Sequence, residues 1–278
     1  MCDKISHNHC GLAYELHGEG TPVLFIQGVG VPGGGWRPQV EALPSHFACL
    51  SFDNRGLGAS APPDGRVTVE SMADDALAVM DAVNWESAHL VGHSLGGLVS
   101  LQLALTARRR VRSLSLLCTF PSGKAAAPLT PRMAWLGMRS RVGTRRMRRS
   151  GFLRLITPPG TPHSRETIDQ MTSLFGRDLA DQPPIIGGQL RALRAADLSD
   201  RLSSLSDLPA LVVSATHDPI APPTAGQSLA TALASARYVE IQKASHALPI
   251  THAEIVNRLL KEHIQAIEIA SVRQSRGE

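Results

Sequence analysis

The sequence is short of cysteine, of long apolar runs and, through its middle, of acid. Its four cysteines, Cys2, Cys10, Cys49 and Cys118, share no metal-type spacing. So few thiols in a chain this long make no disulfide framework, and they read as free thiols. No run approaches the roughly 18 apolar residues that a membrane span requires. The opening "MCDKISHNHC" also lacks the apolar core of a signal peptide. A cytoplasmic protein with no transmembrane segment is expected. Between Ser87 and Arg165 there is no Asp or Glu against fourteen Lys or Arg, although the net charge of the chain is only +4. The middle is a basic block, and the acid lies on either side of it. No metal or organic cofactor and no nucleic-acid partner are expected. His7, His9 and Cys10 cluster near the N-terminus, but no further ligands follow them at suitable spacing.

What is present suffices for one large core: 278 residues, 43% of them hydrophobic. Short apolar runs, "PVLFIQG" (22–28), "ACLSFDN" (48–54), "AHLVGH" (88–93), "SLSLLC" (113–118), "ALVVSA" (210–215) and "RYVEIQ" (237–242), have strand length. Most are too continuously apolar for a sheet that faces water on one side. Helical patterns separate them, over Val69–Val83 after a Thr68 N-cap, Leu95–Ala107, Pro223–Leu233 and Ala253–Ile269. Strand and helix in alternation predict a doubly wound α/β fold with a mostly parallel sheet. "GLAYELHG" is expected to form a hairpin with the residues around Ile5. The stretch 121–204, rich in Arg, Pro and Met, carries four helical patterns and no strand pattern. It reads as a helical insertion into a core of residues 1–120 and 205–278.

"LVGHSLGG" places Ser94 between an apolar strand and a helix, flanked by Gly92 and Gly96. A nucleophile at such a turn adopts a strained backbone that only small neighbours accommodate. The turn also sets the Leu95 amide at a helix N-terminus, where an unpaired N–H and the helix dipole favour an oxyanion.

Five segments in order carry a resemblance to the α/β-hydrolase family. "FIQGVG" is similar to its oxyanion segment, "FDNRGLGAS" to its D-x-R-G-x-G-x-S turn, and "VGHSLGG" to its nucleophile elbow. "SATHDPIAPP" and "ASHALP" are similar to its acid and histidine loops. The resemblance implies Ser94, Asp218 and His246 as a catalytic triad, and the backbone N–H of Val29 as the second oxyanion donor beside Leu95. The chemistry of each residue agrees. A serine hydroxyl needs a base, imidazole with an unperturbed pKa of about 6.5 supplies one, and a carboxylate fixes its tautomer. No acid follows "SLSLLC", the other strand end where this fold holds one, so Asp218 is favoured.

Where the family commonly has histidine, this chain has Gln27, which braces the loop or touches substrate. Asp53 and Arg55 read as bracing residues, and His217 and His252 as loop and surface residues. Trp36, His93, Trp135 and Phe152 are candidate pocket residues. Within the insertion, which corresponds to a lid, Met133, Met138, Met147, Leu153 and Phe175 can add an apolar wall. The expected activity is hydrolysis of an ester, lactone or related acyl compound through an acyl-enzyme. The same fold also supports acyl transfer, peracid formation, cofactor-free oxygenation, or a ligand receptor that keeps a vestigial triad. The expected partner is a small acyl substrate. The insertion's Arg139, Arg141, Arg145, Arg146, Arg148 and Arg149 either pair with the acidic remainder of the chain or offer a positive rim to an anionic substrate, a carrier or a membrane surface.

Overall fold

The computed structural model describes residues 2–43, 45–62, 65–126 and 130–276; residues 1, 44, 63–64, 127–129 and 277–278 of the expected spans lie outside these. Among the described residues eight strands form one sheet: β1 (Asp3–His7), β2 (Cys10–His17), β3 (Thr21–Ile26), β4 (Phe47–Phe52), β5 (Ala88–His93), β6 (Val111–Leu117), β7 (Ala210–Ala215) and β8 (Ala236–Ile241). Their order is β1-β2-β4-β3-β5-β6-β7-β8. The β1–β2 and β2–β4 pairings are antiparallel, and all the others are parallel. The apolar runs become strands because both faces are covered; β4, β5 and β7 are buried at every residue. The chain leaves β3 for β4 on one side and returns to β5 on the other. The crevice at the carboxyl ends of β3 and β5 is therefore the topological switch point, where open α/β sheets bind ligands.

The described residues form ten α-helices, in chain order α1 (Arg37–Val40), α2 (Val69–Ala82), α3 (Leu95–Thr106), α4 (Pro131–Arg139), α5 (Arg145–Ile156), α6 (Arg165–Phe175), α7 (Ile186–Ala195), α8 (Pro223–Ala232), α9 (Leu248–Thr251) and α10 (Ala253–Arg276). Helix α3 is apolar all round and buried from Leu95 to Ala104, which is what a helix under the centre of a sheet requires. Thr68 caps α2 as its sequence predicts, in a reciprocal box with Ser71. The expected end of α10 at Ile269 is corrected to Arg276. The apolar pattern stops where packing stops, Ile269 and Val272 being largely exposed, yet no Gly or Pro interrupts the turns that follow.

Between β6 and β7 lie α4 to α7, with no named strand among the described residues. Leu153, Met171, Leu174, Phe175 and Leu179 form a second apolar cluster there, which reaches Ala247 and Val31 of the core. No helix of the described residues is long and apolar enough to cross a membrane.

Candidate active site

Register brings the site together. Ile26 pairs with Gly92, His93 with Leu117, and Ala215 with Ile241. The residues just past β3, β5, β6, β7 and β8 therefore line up along one edge of the sheet, and they include Gly28, Ser94, Cys118, Asp218 and His246.

Ser94 has φ 53°, in the left-handed region that costs a non-glycine residue energy. Its backbone is held there: the N–H donates to the Leu117 carbonyl at 3.0 Å, and the carbonyl accepts from Thr119 Oγ1 at 2.7 Å and Gly97 N–H at 2.9 Å. A methyl on Gly96 would stand 2.0 Å from the Ile26 carbonyl oxygen, and one on Gly92 would stand 2.4 Å from that of Gly96. The two glycines are therefore required by close approach of β3 and β5 to the turn. Gly28 packs against the serine itself, a methyl there falling 3.0 Å from Ser94 Cβ.

Asp218 is fully committed. Oδ1 accepts from the N–H groups of Ile220 at 2.8 Å and Ala221 at 2.9 Å, and Oδ2 accepts from His246 Nδ1–H at 2.8 Å. With the proton on Nδ1, His246 keeps its Nε2 lone pair as an acceptor. The loop after His246 is tied to the insertion, since Ala247 N–H donates to the Ile156 carbonyl at 2.8 Å. Among the described residues Ser94 Oγ finds no hydrogen-bond partner.

His93 braces His246. Its Nε2–H donates to the His246 carbonyl at 2.9 Å, and the two ring centroids are 4.9 Å apart. Burial, helped by the neighbouring His246 ring, pushes the His93 imidazole down to about 3, so it is neutral. Trp36 is buried behind it, edge-on to His93 and tilted on Phe25, so it packs His93 from behind. Gln27 is buried, its Oε1 accepting from Gly28 N–H at 3.2 Å and its carbonyl accepting from Asn54 Nδ2 at 3.0 Å. It braces the loop. Val29 is half-buried, and among the described residues its N–H finds no acceptor. As the first residue of α3, Leu95 has no intrahelical acceptor for its N–H. Among the described residues neither of these two N–H groups has a hydrogen-bond acceptor.

Phe152 packs against Phe175 in the apolar cluster that reaches Val31 and Ala247. Trp135 is not brought to Ser94, Asp218 or His246: it is 49% exposed beneath the Arg139 guanidinium. Helical periodicity marks an apolar residue without fixing which side of an inserted helix it faces. Asp53 and Arg55 brace as expected. Asp53 accepts from Gly33 and Ala59 N–H, and Arg55 makes a buried bidentate pair with Asp75. His217 is exposed and His252 half-buried. Cys10 turns inward and its thiol donates to the Ala61 carbonyl, while His9 is exposed.

Two neighbours escape sequence reading. The Cys118 thiol, at the end of β6, lies with Asp218 and His246 so that their donor atoms are all within 4.8 Å of one another. Burial and the Asp218 carboxylate hold it well above the ordinary thiol range, so it stays S–H. Gln189 of α7, buried, accepts at Oε1 from Gly30 N–H at 2.8 Å, and Arg177 Nη2 donates to the Gly30 carbonyl at 2.9 Å. Its only sequence signal is a polar residue on the buried face of α7, in step with Ile186, Ala192 and Leu193.

A family profile described as the alpha/beta hydrolase fold matches residues 21–253. The chain is 30% identical over 253 residues to an Azorhizobium caulinodans protein provisionally named carbamate hydrolase RutD, covering 90% of this chain and 93% of that one. A Variovorax paradoxus protein with the same provisional name is 31% identical over 272 residues, covering 94% and 98%. The solved enol-lactonase of Burkholderia xenovorans has a TM-score of 0.80 at 27% identity, covering 95% of this chain and 100% of that one.

Proposed function

The chain belongs to the alpha/beta hydrolase fold family, and from that premise we propose that it is a serine hydrolase cleaving an ester, lactone or related acyl compound through an acyl-enzyme. The observation that carries this reading is the 2.8 Å Asp218–His246 hydrogen bond on the same sheet edge as the strained Ser94 turn. Ser94 Oγ attacks the carbonyl carbon as its proton passes to His246 Nε2. The carbonyl electron pair moves onto oxygen, where the Val29 and Leu95 N–H groups hold it. Collapse expels the leaving group, which takes the proton from Nε2. Water then attacks the acyl carbon with His246 again as base, releasing the acid and restoring Ser94. Helices α4 to α7 serve as a lid whose apolar cluster keeps bulk water from the oxyanion and so strengthens its hydrogen bonds.

Gln189 enters this reading as a positioning residue, because it fixes Gly30 next to the donor Val29. Gln189→Ala is expected to lower kcat on the order of 10-fold to 100-fold with little change in KM, less than the loss of an oxyanion donor itself. Nε2 of Gln189 has no partner among the described residues, so Gln189→Glu, which keeps the acceptor, is expected to recover most of the rate. Equal losses in both variants would remove Gln189 from the loop's support.

The substrate class is tested by initial rates on matched aryl esters of rising acyl length, simple lactones and an aryl carbamate, with and without Ser94→Ala. Turnover well above about one per minute on at least one class, lost in the variant, is expected. Rates below that on every compound, with tight binding that survives Ser94→Ala, would point instead to a receptor with a vestigial triad.

A further inference from the structure

The basic block divides in two once folded. Arg108 pairs with Asp207, Arg110 with Asp81, Arg112 with Glu268, and Arg145 with Asp178 and Asp181. Acid remote in sequence thus neutralises much of it. Several of the remaining arginines surround a cleft of about 530 Å³ at α4, α5 and the turn after α5, lined by Arg132, Arg146, Arg149, Arg154 and His163, with no Asp or Glu in its lining. Arg149 is neutralised by Asp178. Among the described residues no carboxylate pairs with Arg132, Arg146 or Arg154. Neither Ser94 nor Asp218 nor His246 lines this cleft.

Three unneutralised guanidiniums around one concavity repel each other and concentrate anions. Leu153, fully buried, and Ile168 give the cleft an apolar side, and such a low-dielectric wall strengthens the field felt by a bound charge. The planar fork of each guanidinium matches phosphate oxygens in pairs. The volume lies within the range of small-molecule sites. A neighbouring depression of about 230 Å³ shares Arg146 and Arg154 and adds the exposed Trp135, an apolar plane beside the charges.

We propose that this cleft binds a small organic diphosphate, with the phosphates on Arg132, Arg146 and Arg154 and a flat ring of the ligand against Trp135. The site is separate from the acyl pocket and does not depend on the reading of that pocket. Adenosine diphosphate and inorganic pyrophosphate serve as probes in titration calorimetry at low and high salt. Saturable binding of both is expected, weakening as salt screens the charges. An Arg146→Gln, Arg154→Gln variant should lose at least about tenfold in affinity for each probe, since hydrogen bonds to charged groups are the strong ones. Trp135→Ala should weaken the nucleotide and leave pyrophosphate unchanged. Both substitutions are on exposed side chains, so an unchanged thermal midpoint confirms that the fold persists. No saturable binding, or binding that the arginine variant retains, would overturn the proposal. So would arginine-dependent sedimentation with vesicles containing phosphatidylglycerol in the absence of nucleotide binding, which would assign these side chains to a membrane surface.

Discussion

Asp218→Asn is expected to leave the fold intact and to lower kcat by up to about 10⁴-fold, the scale on which a triad suffers when its acid becomes an amide. The fold survives because an asparagine carbonyl can still accept from Ile220 and Ala221 N–H, the two bonds that shape the loop. The rate does not survive because the amide NH₂ then faces His246 Nδ1, 2.8 Å from the present carboxylate oxygen. A donor there selects the tautomer with its proton on Nε2, which cannot take a proton from Ser94. Circular dichroism with a melting curve, beside steady-state kinetics, separates the two effects. A native melt with an unchanged rate would return the acid's role to another group.

Acid should unfold this protein early, through histidines kept neutral by burial. Burial, with the nearby His246, pushes His93 to about 3; burial, with the nearby His89, pushes His263 to about 4. In the unfolded chain both titrate at about 6.5. The unfolded state therefore binds more protons as pH falls, and the stability present above about pH 6.5 is lost on the way down toward the folded values. At pH 4.5 the two sites together cost roughly 5 kcal/mol on this linkage. That is comparable with the whole stability of many domains. Asp53 and Asp75, whose carboxyls burial raises above the ordinary value, bind protons earlier when folded and offset part of the loss. Urea unfolding at pH 7.5 and 4.5 measures the net change, and His263→Leu isolates one contribution. The variant should reduce the difference between the two pH values by about 2–3 kcal/mol; parallel behaviour of variant and parent would contradict the account.

What could be read from the sequence is what local physics dictates. Gly92 and Gly96 are legible beside Ser94 because a turn that brings β3 and β5 so close has no room for a Cβ. Asp218 is legible from its place after an apolar strand and before a proline-rich loop, and the Thr68 cap from its spacing to Ser71. Contacts that close over long sequence distance are not legible in the same way. Gly30 and Gln189 are 159 residues apart, and nothing in either segment names the other. Asp178, which takes up Arg145 and Arg149, lies beyond the acid-free block, so charge counting alone could not pair them. Cys118 shows the converse. No acid follows β6, yet the thiol at its end lies against the acid supplied by the next strand.

The central claim, that Ser94 is the nucleophile, is tested most directly by treating the protein with a fluorophosphonate probe and locating the adduct by peptide mass spectrometry. A single adduct on Ser94, absent from Ser94→Ala and much slower to form in Asp218→Asn, is the predicted result. An adduct on another residue, or full ester turnover by Ser94→Ala, would contradict it.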